Sequence, residues 1–150
     1  MRKHKGFTLV ELVVVVMILG ILAAVAAPKL LGTSSAAADN GIKQTLAIVR
    51  DAIERYAAEH GGDLPGELET EADLKADLAP YLRGTFPTCP VAGNNNAVKV
   101  TADPGPIEGI AGNAQPQSWH YSADDGTFIV NSTEKTNNEN DDPALCYDEL

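Results

Sequence analysis

From Phe7 to Ala27 the chain reads FTLVELVVVVMILGILAAVAA, an apolar run interrupted by one charge, Glu11. As an α-helix rising about 1.5 Å per residue, the run would be about 30 Å long, which spans a bilayer. Arg2, Lys3 and Lys5 precede it, and Lys29 is the only charge for some distance after it. That bias of basic residues keeps the amino terminus cytoplasmic and sends the remainder across. With this element set aside, about 120 residues are left, enough for one small domain with a modest core.

Three readings of the run compete. Ala24 and Ala26 stand in the small-x-small arrangement of a signal-peptidase site, which favours an ordinary secretory signal in front of a soluble binding domain. A plain anchor is the second reading. Neither makes use of a carboxylate whose insertion into hydrocarbon costs up to about 3 kcal/mol. The third reading gives Glu11 a partner. Cleavage between Gly6 and Phe7 would remove the basic tip and create a new amino group at the head of the helix, with Glu11 only about 6 Å further along the axis. A carboxylate and an ammonium at that offset can pair between neighbouring helices staggered by about one turn, neutralising both charges and setting the register of assembly.

The stretch KGFTLVEL, with its short basic leader and long apolar helix, resembles the cleavage and methylation motif of type IV prepilins and of type II secretion pseudopilins. The resemblance implies that a membrane peptidase cuts after Gly6 and methylates Phe7, and that Glu11 guides entry into a helical filament. Pro28 stands where these proteins usually carry a helix proline, and a proline there removes a backbone hydrogen bond and can kink the helix. The resemblance also implies an α+β, pilin-like fold in which a long amino-terminal helix packs on a small antiparallel sheet.

The body agrees in its order of elements. Ile42, Leu46, Val49, Ile53, Tyr56 and Ala57 lie on one face of an amphipathic helix over about 36–60, stopped by Gly61 and Gly62. Thr70 and Asp73 form a capping-box-like pair ahead of a second helix over about 71–82. A Gly-, Pro- and Asn-rich stretch follows, with one short strand around Ala97 to Ala102. SWHYSADDGTFIVNS then alternates about an ADDG turn, the pattern of a hairpin over about 118–131, with Trp119 as a core residue. The chain thus divides into a leader over 1–6, a membrane and filament-core helix over 7–32, and an exported domain over 33–150.

Charge and cysteine content narrow the functions. A net charge of -10, with three of the eleven basic residues inside the first five positions, argues against binding phosphate backbones or anionic lipid heads. Cys89 and Cys146 are the only cysteines. In an exported body a disulfide between them is the default, worth about 4 kcal/mol in the chain-entropy model, and two unrelated buried thiols are the alternative.

No cofactor is expected. Glu139, Asp141, Asp142, Asp148 and Glu149 offer oxygens of the kind calcium prefers but lack regular spacing, and read as a solvated acidic tail. The calcium loop of typical major pseudopilins finds no clean match. His4, His60 and His120 are scattered and suggest neither a zinc site nor a catalytic dyad. Asn131, Ser132 and Thr133 form a glycosylation sequon. No nucleophile elbow or phosphate loop is present, so the chain is not expected to be an enzyme. The expectation is a pseudopilus subunit whose partners are the prepilin peptidase, other copies, sibling pseudopilins and an inner-membrane assembly platform. It would reside first in the bacterial inner membrane and then in a periplasmic filament. A type IV pilin used for adhesion, motility or DNA uptake is the alternative within the family.

Overall fold

The computed structural model describes residues 7–102, 106–111, 116–136 and 146–150, with the side chains of 27–35 outside that description. Two compact units meet in sequence at Ser35 and Ala36. The first contains the apolar run, helical from Leu9 and exposed throughout its described side chains. The second is an α+β body. The helix α1 is assigned over Leu9–Glu59 and so contributes to both units. Pro28 falls inside it, and its side chain lies outside the described ones.

Within the body, α1 lays Ile42, Leu46, Val49 and Ile53 into the core, the face that their spacing predicts. Each such side chain, moved from water to the interior, stabilises the fold by about 1.5–3 kcal/mol. The helix ends where Gly61 and Gly62 take φ of 73° and 106°, and the Gly62 N–H reaches back to the Ala57 carbonyl at 2.8 Å. The helix α2, Glu71–Leu78, starts at Thr70, whose hydroxyl accepts from the Asp73 N–H at 3.2 Å. It ends short of residue 82, just ahead of Pro80, and buries Leu74 and Leu78.

Three strands follow: β1 (Val98–Thr101), β2 (Trp119–Ser122) and β3 (Phe128–Val130), in the order β1-β2-β3. β2 and β3 form the expected hairpin, with Gly126 at φ 77° in its turn. The sheet is mixed rather than antiparallel, because β1 pairs with β2 in parallel, Val98 beside Trp119 and Thr101 beside Ser122. The connection between them is long enough to carry the chain back and re-enter in the same direction. Trp119, Tyr121, Phe128 and Val130 face the α1 side chains in one core. The Trp119 indole N–H donates to the Pro87 carbonyl at 3.0 Å and the Tyr121 hydroxyl to the Pro65 carbonyl at 2.9 Å, so both buried rings keep their polar ends satisfied.

A short 3-10 turn, Tyr147–Glu149, closes the body. The Tyr147 hydroxyl donates to Asp39 Oδ1 at 2.6 Å, with both residues buried. Arg50 on α1 donates through Nε and Nη2 to the Phe128 carbonyl and through Nη1 to the Leu150 oxygen. One helix thus holds both β3 and the final turn.

The structure does not show the expected Cys89–Cys146 disulfide. Cys89 is a fully buried thiol within the core, and its N–H is held by the Asn95 carbonyl at 2.9 Å. Cys146 instead lies in an antiparallel bridge with Lys135. Burial pushes the Cys89 thiol up to about 11, so it packs as a small apolar group. Asn131 of the sequon is buried, and its amide donates to the Gln117 carbonyl at 2.9 Å, which leaves no room for a glycan in the folded body.

Candidate functional site

The chemistry of the amino terminus is concentrated in two residues of the first helical turn. Thr8 is the residue before α1, and Glu11 is its third helical position. The Thr8 N–H and hydroxyl both donate to Glu11 Oε2, at 2.9 and 2.8 Å, while the Glu11 N–H donates to the Thr8 hydroxyl at 3.2 Å. This is a reciprocal capping box. It satisfies backbone donors that a helix start leaves open, and it seats a carboxylate at the positive end of the helix dipole. Glu11 is therefore already partnered within its own helix, which lowers the cost of carrying it into an apolar medium. Both bonds fall on one oxygen, and a carboxylate has lone pairs on the other with which to accept a cation.

Phe7 is 78% exposed, and Gly6, on the other side of the expected cut, lies outside the described residues. The window Leu9–Ala26, Glu11 included, has a mean hydropathy of 2.9 and none of it is buried. A helix of that length and composition can cross a membrane or pack against copies of itself. Thr8 is the participant that the reading of the motif overlooked, although Thr-x-x-Glu ahead of an apolar run is itself a legible helix-start pattern.

The prokaryotic N-terminal methylation motif matches residues 1–27 of this chain. The amino terminus is thus similar to that of prepilin-like proteins. Prepilin peptidase-dependent protein D of Escherichia coli is 44% identical over 62 residues, 41% of this chain and 42% of that protein. Type II secretion system core protein G of Vibrio cholerae is 43% identical over 56 residues, 37% of this chain and 38% of its own. The ComG operon protein 3 homolog of Bacillus licheniformis is 29% identical over 100 residues, 65% of this chain and 91% of the relative. The chain thus spans less than half of the first two relatives. No solved structure matches it significantly.

Other chemistry is sparse. An open cavity of about 620 Å³ is lined by Tyr56, His60, Asp63, Glu67, Glu69 and Asp124 among others. His60 stacks on Tyr56 with ring centroids 3.9 Å apart. Among the described residues, no group of three His, Cys, Asp or Glu could hold a metal ion. Of the acidic tail, Glu139, Asp141 and Asp142 lie outside the described residues. Asp148 accepts from the Gly109 N–H at 2.9 Å and Glu149 from the Cys146 N–H at 2.7 Å, both in structural roles.

Proposed function

We propose that this chain is a structural subunit of a type II secretion pseudopilus, acting by assembly rather than catalysis. The observation that carries the reading is the prepilin motif joined to an exposed apolar helix with a single carboxylate in its first turn. In this reading the chain sits in the inner membrane with its amino terminus cytoplasmic and its body periplasmic. A prepilin peptidase cuts between Gly6 and Phe7 and methylates the Phe7 amine. The new ammonium of one copy then pairs with Glu11 of a neighbour, while Thr8 keeps hold of Oε2. Apolar helices pack in the filament core, and the bodies form the outer surface with other pseudopilins. The assembly platform is a further partner of the same reading.

The similarity to core protein G supports the secretion filament. The test is expression of the full chain with a cognate prepilin peptidase and secretion platform, followed by recovery of sheared filaments. Glu11→Ala is expected to insert and be cleaved but to yield few filaments. Normal filament yield from that variant would refute the pairing.

A further inference from the structure

β2 is the middle strand and is buried along its whole length. Trp119 and Tyr121 account for its core face. Alternation along the strand puts His120 and Ser122 on the other face, and both are buried. His120 is 4% exposed and bridges two elements there. Its Nε2 lies 3.2 Å from the Thr101 hydroxyl on β1, and its Nδ1 lies 3.1 Å from the Glu108 carbonyl in segment 106–111 of the β1–β2 crossover. Two further contacts seat the same segment. The Gly109 N–H donates to Asp148 Oδ2, and a Cβ at Gly109 would stand 2.6 Å from the Ser132 nitrogen, so backbone rests directly on backbone.

We propose that segment 106–111 is a proton-sensitive cover on the outer face of the sheet, latched by neutral His120 and released when His120 takes up a proton. A neutral ring fits its site as the tautomer whose Nδ1–H donates to the Glu108 carbonyl and whose Nε2 accepts from the Thr101 hydroxyl, a group that also lies 3.5 Å from the Tyr121 carbonyl. A proton on Nε2 makes that nitrogen a donor, turns the Thr101 hydroxyl around and puts a charge in a buried site. The groups around the ring do not welcome it. Lys99 stands opposite on β1, and Ile129 opposite on β3 is apolar. Glu108 offers the ring its carbonyl while its residue is exposed, and the Asp148 carboxylate is engaged by Gly109.

Burial, chiefly, and then Lys99 hold His120 below its ordinary 6.5, against the opposing pull of the Glu108 carbonyl. Opening returns the ring to water and to that ordinary value. The closed state is therefore fully favoured above 6.5. Below it, opening grows by up to about tenfold per pH unit until the depressed value is reached, and then levels off.

The test is amide hydrogen exchange of the full chain in detergent micelles from about pH 7.5 to about 5, corrected for intrinsic rates, together with NMR titration of the His120 ring. Expected are exchange at 106–111 that rises as pH falls below 6.5, no such rise in α2, a His120 midpoint below 6.5, and a flat profile in His120→Gln. Flat exchange in the wild type, an unchanged slope in His120→Gln, or a midpoint at or above 6.5 would overturn the proposal. If the variant does not fold, the two wild-type measurements decide it alone.

Discussion

Thr8 and Glu11 show how one residue pair can serve two stages of a subunit's life. Before assembly the pair caps a helix, and in the proposed filament one of its oxygens takes a neighbour's ammonium. Thr8→Ala should weaken the helix start by about 1 kcal/mol, a factor of about five, and so lower filament yield less than Glu11→Ala does. Filament counts from the two variants side by side check this order. Tyr147 acts at the other end of the chain. Tyr147→Phe removes a buried hydrogen bond to a carboxylate and should lower stability by about 1.5–3 kcal/mol in denaturant titration of the body's fluorescence. Cys89 should resist maleimide at neutral pH in the native protein and react without reductant once unfolded, because it is a buried thiol held up at about 11. Rapid native labelling would contradict that placement.

At the scale of elements, periodicity and capping were the readable signals. Ile42, Leu46, Val49 and Ile53 repeat at helical spacing and are buried as a stripe. Thr70 caps α2, and Thr70→Ala should cost about 1 kcal/mol, read as a lower unfolding midpoint without a change in slope. Alternation in WHYS and FIV identified the hairpin, yet alternation carries no strand direction. The parallel partnership of β1 and β2 was hidden because it depends on where a Gly- and Pro-rich crossover returns the chain. Arg50 was equally illegible. It reads as a polar position beside an apolar stripe, whereas its guanidinium joins α1 to Phe128 and Leu150 across contacts remote in sequence. The structure does not show the Cys89–Cys146 pairing either, and counting cysteines says nothing of whether a core will enclose one of them, as it does Cys89.

For the whole molecule, two kinds of surface divide the work. The helical stretch Leu9–Ala26 is apolar and exposed, with its one carboxylate in the first turn, whereas the body has a conventional core and the chain a net charge of -10. Such a chain is stable outside the membrane only when its apolar helix is covered, and a helical filament of copies would cover it. The motif was legible because each part is a local pattern: a small residue before the expected cut, a carboxylate in the first turn and an apolar run that Glu11 alone interrupts. Mass spectrometry of the amino-terminal peptide, from protein made with a cognate prepilin peptidase and recovered in filaments, tests this account most directly. It predicts a chain that starts at Phe7 and carries one methyl group on that amine. A chain starting at Ala27, or filaments built from uncut protein that starts at Met1, would contradict it.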